Sequence, residues 1–460
     1  MNLYNKYCLI WKKTLMLGWP IVLSHIFTTA MRTTDMILMG LFGPAAVTAV
    51  GLGDVWEQIV LRLGLGLGVG SISLIAQESG LKNDLSVQNT ELVLTQVLMT
   101  GVLLGLPFVI IGLLIPEKLI GVLGAAPDVI VLAAQYLLVI FSAAPFRIIN
   151  LISSRALQGA GDTRTPMVIG VVSNLINIGF SVVLALGIGF FPKLGVIGVG
   201  WGTFIAKLFA TIVYIIIFVS PYGKLSLRFP KGGWDFTITR QLLKVSIPRS
   251  LQGGYQSLIA FPFNSLILLF GTETAAAYYI ARRIQQQLMA PLQRAYGTVT
   301  TILVGNELGK GDHIASGKLT KGILWLSLIT IGLAGGLIFI FAPFLLSVFT
   351  KNSITITYGV KFLRVLSIGA LIMTCHNVLS GLLTAAGDTR TSFYGSVINQ
   401  TLFKLGLSYL LSVPLGLKLT GIFIGLLTDF SGQLIWIFHR FRSLRWVDDA
   451  RNMIEERHRG

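Results

Sequence analysis

Apolar runs, each about the length a helix needs to cross the hydrocarbon core of a bilayer, follow one another along this chain with short polar turns between them. That pattern leaves few folds open, because a membrane-spanning segment must satisfy its backbone polar groups as a helix or as part of a closed barrel. The ten-residue alternation of barrel strands is absent, so helices remain. Composition agrees: 53% of the 460 residues are hydrophobic and 12% are charged, where a soluble domain carries about 25% charged residues. Twelve spans are expected, at 14–39, 47–76, 92–114, 129–157, 166–189, 196–219, 245–270, 275–304, 322–346, 357–383, 392–412 and 420–439. Pro20, Pro107, Pro145, Pro248, Pro262 and Pro291 fall inside or at the ends of these spans and predict kinks.

The formal charge of +17 invites a nucleic-acid reading, but its distribution argues against one. With the N-terminus inside, twenty Lys and Arg fall in cytoplasmic segments. They include Lys12, Lys13, Lys82, Arg164, Arg228, Lys231, Arg390 and six arginines after residue 439. Only Lys118, Lys193, Lys351 and Lys418 fall opposite, so both termini are expected in the cytoplasm. The tail around Arg440, Arg442, Arg445 and Trp446 reads as an interfacial anchor. No small-residue cleavage site follows the basic start, which predicts an uncleaved first span. Cys8 and Cys375 suggest no disulfide framework.

The chain was made twice. Gly159-Ala160-Gly161-Asp162-Thr163-Arg164-Thr165 returns as Ala385-Ala386-Gly387-Asp388-Thr389-Arg390-Thr391, 226 residues later. Leu41-Phe42-Gly43 matches Leu269-Phe270-Gly271 at an offset of 228, Pro20 matches Pro248 at the same offset, and Ala76–Gly80 matches Gly305–Gly309 at 229. Six spans separate the copies, an even number, so both have the same orientation. The expected fold is an all-α integral membrane protein with twelve transmembrane helices in two parallel six-helix repeats forming two lobes, an architecture of transporters. The lobes are expected at 1–222 and 245–440, joined by a cytoplasmic linker at 223–244 and followed by a basic tail at 441–460. The glycine run Gly64–Gly70 lies inside a span and lacks the lysine of a phosphate loop; its GxxxG spacings predict close helix packing.

These motifs, in register along nearly the whole chain, resemble the multidrug and toxic compound extrusion (MATE) family. The resemblance rests on Asp35 followed by Leu41-Phe42-Gly43-Pro44, on Ala76-Gln77, and on both Gly-Asp-Thr-Arg turns. Gly195-Val196-Ile197-Gly198 and Val304–Gly309 extend it. It implies two six-helix lobes and export of organic, often cationic, compounds by antiport with Na⁺ or H⁺ through alternating access.

Asp35, Asp54, Glu57 and Asp429 are the acids within the expected spans, where an ionised group is costly and faces a cavity or a partner. Asp35 falls where the family has its first-span carboxylate, and Na⁺ there would be the only metal; an ion pair with Arg32 at i,i+3 is the structural alternative. The resemblance adds Asn177, Ser181 and Thr203 as neutral oxygens of a cation-coupling site. Ser181 stands where many members carry a second Asp. Gln256 and Met373 occupy positions that are acidic in another branch of the family. Arg32, Asp54, Glu57 and Gln256 are candidate lining of a substrate cavity, though Asp54 and Glu57 at i,i+3 read equally as a structural salt-bridge cluster with Arg62. Of the intramembrane bases Arg147, Arg155, Lys207, Arg282, Arg283, Arg294, Arg364 and Lys404, those near inner ends are expected to snorkel. Arg147 and Arg294 lie deeper, which keeps an anionic or zwitterionic substrate open.

A membrane-embedded transferase or protease would need a polar catalytic constellation, and the five scattered histidines offer no metal spacing. The chain is therefore not expected to be an enzyme or to hold a cofactor beyond the coupling ion. A lipid-linked oligosaccharide flippase of related fold is the alternative function. Expected partners are a small organic substrate and the bilayer, without nucleic acid, for a monomer in the plasma membrane.

Overall fold

The computed structural model describes residues 3–81, 84–221, 223–227 and 234–459. Lys82, Arg228, Lys231 and part of the expected linker lie outside them. Among the described residues every regular element is helical.

The first repeat runs through α1 (Leu3–Gly40), α2 (Pro44–Leu81), α3 (Asp84–Leu114), the short α4 (Pro116–Gly121), α5 (Pro127–Ser142), α6 (Ala144–Gly159), α7 (Arg164–Leu186) and α8 (Val196–Val219). The second follows with α9 (Phe236–Leu268), α10 (Thr272–Leu288), α11 (Ala290–Gly309), α12 (His313–Ile340), the short α13 (Ala342–Ser347) and α14 (Ser353–Ala385). Its last spans are α15 (Arg390–Asn399), a π-helical segment (Gln400–Leu407), α16 (Ser408–Ser412) and α17 (Leu419–Arg442), and α18 (Arg445–Arg459) ends the chain. Eight of these helices are long and apolar enough to cross a membrane, or nine if α5 and α6, bent by 44°, form one span. The other expected spans correspond to α9, to α10 with α11, and to α15 through α16. Prolines mark two of the breaks: Pro145 opens α6 and Pro291 opens α11, each where a backbone donor is not required.

The repeated turn is built the same way in both copies. Gly161 and Gly387 sit at φ 77° and 82°, where a side chain would be strained. The next N–H closes a six-residue loop onto the ended helix, Asp162 to Leu157 O and Asp388 to Leu383 O, each at 2.8 Å. The Asp carboxylate then caps the new helix, accepting from Thr165 N at 3.0 Å and from Thr391 N at 3.1 Å.

Contacts divide the chain into two compact units. The first comprises Leu23–Ser250; the second comprises the chain up to Val22 together with Leu251–Arg459. The divisions fall two residues after Pro20 and Pro248, at equivalent places in α1 and α9. Within the first unit Ser250 donates to Arg62 O at 3.1 Å; within the second, Trp11 donates to Gly322 O at 3.0 Å. The glycine run of α2 does pack closely. A Cβ on Gly64 or Gly68 would collide with Leu151 or Arg155 of α6, and one on Gly66 or Gly70 with Ser250 or Ser246 of α9.

The tail departs from its expected role as a membrane anchor. Trp446 is 1% exposed, packed with Ala450 against Leu308, Leu382 and Leu383 at the end of the second unit. Trp446, Ala450, Met453 and Arg457 fall at helical spacing and are all buried, so α18 has one buried face. Arg440 ties the tail down, donating to Asp388 at 2.7 Å and to Asp449 at 2.6 Å.

Candidate functional site

In the first unit α1 and α7 are matched over two helical turns. Asn174 donates to Thr28 Oγ1 at 3.3 Å, and seven residues further along each helix the Ser181 hydroxyl meets the Asp35 carboxylate. The same hydroxyl also donates to Val199 O, at a long 3.5 Å. Gly202 of α8 permits this geometry, since a Cβ there would overlap Ser181 Oγ. One turn back on α7, Asn177 donates to Thr203 Oγ1 at 3.0 Å. Two acceptors are buried here without a donor among the described residues: Asp35 Oδ1 and Asn177 Oδ1. A carboxylate, an amide oxygen and two hydroxyls make a hard-oxygen donor set of the kind that suits Na⁺ or a bound proton.

Charges of both signs surround this group. Asp35 lies within electrostatic reach of Asp54, Lys207 and Arg32, and Asp54 within reach of Arg32 and Arg147. Glu57 is ion-paired with Arg147, both side chains being 13% exposed. Three acids thus face three bases, Arg32, Arg147 and Lys207. This pairing partner of Glu57 comes from α6. The buried ring of Tyr136 on α5 fits against Gly53, beside Asp54, where a Cβ would stand 2.7 Å from it. Sequence reasoning missed Tyr136 and left Lys207 unassigned. Lys207 follows Thr203 by four residues, so the shared helix face was readable once Thr203 was singled out. Gln256, by contrast, is exposed on α9 and belongs to the second unit.

The family model described as MatE matches residues 20–183 and, a second time, residues 248–410. The chain belongs to the MatE family. The two MatE matches open on Pro20 and Pro248, the prolines that mark the repeat. Among curated MatE-like relatives, the probable multidrug resistance protein YoeA of Bacillus subtilis is 25% identical over 435 residues, covering 93% of each chain. The probable multidrug resistance protein NorM of Rhodopseudomonas palustris is 28% identical over 448 residues, covering 93% of this chain and 91% of that protein. A solved MOP superfamily transporter from Pyrococcus furiosus has the same fold, with a TM-score of 0.86 at 22% identity over 95% of this chain and 97% of that one. A multidrug resistance MATE family transporter solved in an outward-facing conformation gives 0.85 at 21% identity and the same coverage. As a MatE protein the chain is an all-α integral membrane transporter.

Proposed function

We propose that the protein is a secondary active exporter of organic, drug-like cations, driven by antiport with Na⁺ or H⁺ through alternating access between two six-helix lobes. The observation that carries this reading is the pair of buried acceptors, Asp35 Oδ1 and Asn177 Oδ1, that no donor among the described residues satisfies. A buried acceptor left unpaired costs about 1–3 kcal/mol, so the site gains when a proton or a metal ion arrives. An organic cation entering beside Asp54 competes for the same negative charge. Binding of the two then becomes mutually exclusive, which is what exchange requires. Arg32, facing Asp54, holds that charge in place while the site is empty of substrate. The names of the relatives, multidrug resistance proteins, support drug-like cargo. The excess of Lys and Arg on one side supports a plasma-membrane protein with both termini in the cytoplasm, and we expect a monomer.

Efflux of an organic cation panel from proteoliposomes with imposed Na⁺ or H⁺ gradients tests the reading. Asp35→Asn is expected to abolish gradient-driven efflux in protein that remains folded and inserted. Ser181→Asp is expected to shift the Na⁺ or pH dependence. Normal transport by Asp35→Asn under both gradients would overturn the assignment.

A further inference from the structure

The second unit carries a polar group of its own, and the repeat shows how it differs from the first. At the offset of 228, Asp35 corresponds to Phe263 and Asp54 to Arg282. The last spans of each repeat align through their serines. A Cβ on Gly425 would overlap Ser408 Oγ just as one on Gly202 would overlap Ser181 Oγ, and the neighbouring glycines Gly421 and Gly198 abut Ser412 and Ala185. That alignment has an offset of 227, one more than at the Gly-Asp-Thr-Arg turns. The extra residue is taken up in the π-helical segment Gln400–Leu407. Such single-residue widenings of a helix recur at functional sites. Lys404 then stands four residues before Ser408, as Asn177 stands before Ser181. Two positions that offer an acid and a neutral amide in the first unit are cations in the second, and the Asp35 position is an aromatic ring.

The packing keeps these cations together. Lys404 Nζ lies over the Phe263 ring, 5.1 Å from its centroid. Phe263 meets Tyr278 edge-on at 5.8 Å, and Arg282 lies 6.0 Å from the Tyr278 ring. Lys404 is within electrostatic reach of Arg282 and of Asp429. Asp429 is 2% exposed and accepts from Gln433 at 2.8 Å. Among the described residues the Lys404 ammonium makes no hydrogen bond and no close ion pair. Two cations therefore face one carboxylate in apolar surroundings, where uncompensated positive charge is costly. An anion would relieve it.

We propose that the second unit binds an organic carboxylate, its head held between Lys404 and Arg282. This site goes beyond the cation coupling at Asp35, and its test needs no gradient. Equilibrium binding to the purified full-length protein is measured with 1-naphthoate, methyl 1-naphthoate and 1-naphthylmethylammonium. The carboxylate is expected to bind saturably and the ester and ammonium not. Lys404→Gln and Arg282→Gln should each weaken naphthoate binding about tenfold or more, the usual effect of one charge-assisted contact. Lys404→Arg and the surface control Lys310→Gln should retain it. Since Lys404→Gln strands the Asp429 charge, the double variant Lys404→Gln/Asp429→Asn provides a second case, and it too must lose naphthoate. Saturable binding that survives in the double variant, equal binding of the ester, or no saturable carboxylate binding would each overturn the proposal.

Discussion

Asn177 donates its amide to Thr203 Oγ1 at 3.0 Å, while Thr203 gives its own proton to Val199 O at 3.3 Å. The hydroxyl can therefore only accept from Asn177, which fixes the amide and leaves Oδ1 as the buried end. An ion bound there stabilises the folded state by mass action. Melting of the purified protein is expected to rise with Na⁺, or with acidification if the proton is the coupling ion. Asn177→Leu should lose most of that ion-dependent rise, and an undiminished rise would show that Asn177 is no ligand.

Glu57 and Arg147 form an ion pair between α2 and α6 that is largely shielded from solvent. Removing one partner strands a charge. Arg147→Met alone is expected to destabilise the protein by about 3–5 kcal/mol, whereas replacing both partners with neutral residues should recover most of that loss. A double-mutant cycle followed by thermal unfolding in detergent measures it, and additive effects would count against the pair.

Gly202 and Gly425 hold equivalent places against Ser181 and Ser408. Alanine at either should cost about 1–3 kcal/mol from overpacking. Only Gly202→Ala pushes Ser181 away from Asp35, so only it should also lose ion-coupled efflux. Equal losses of coupling in both variants would mean that transport tracks stability alone.

Trp446 is buried in protein, not seated at a lipid interface. Trp446→Ala is expected to destabilise the second unit by about 3–5 kcal/mol, as other large-to-small core changes do. An interfacial tryptophan would instead affect membrane partition, with thermal stability in detergent unchanged.

Topology can be read at the two repeated turns. Thr163 and Thr389 are buried, but Arg164 and Arg390 next to them are exposed. Cysteines at Arg164 and Arg390 should react with impermeant thiol reagents only from the cytoplasmic side. Reaction from outside at either position would refute the expected orientation.

The sequence alone determined the class of fold, because the length and apolarity of the runs and the internal duplication are properties of the chain read in order. Pro20 with Pro248, and the two Gly-Asp-Thr-Arg turns, announce repeats whose local geometry depends only on nearby residues: a glycine at positive φ and an aspartate within reach of the next N–H groups. Asp35 was legible for a related reason, as an ionised group in an apolar helix stands out without any knowledge of its neighbours. Its neighbours were another matter. Glu57 paired with Arg147, Lys207 within electrostatic reach of Asp35, and Lys404 over Phe263 join residues far apart in the chain. Helix periodicity fixes which side chains share a face of one helix, but not which face another helix presents to it. Trp446 shows the same limit, since an amphipathic tail suits a lipid surface or a protein surface equally until the partner is in place. Those choices are made by close packing, by Gly202 admitting Ser181 and by one extra residue in the π-helical segment of the second repeat, and only the tertiary structure records them.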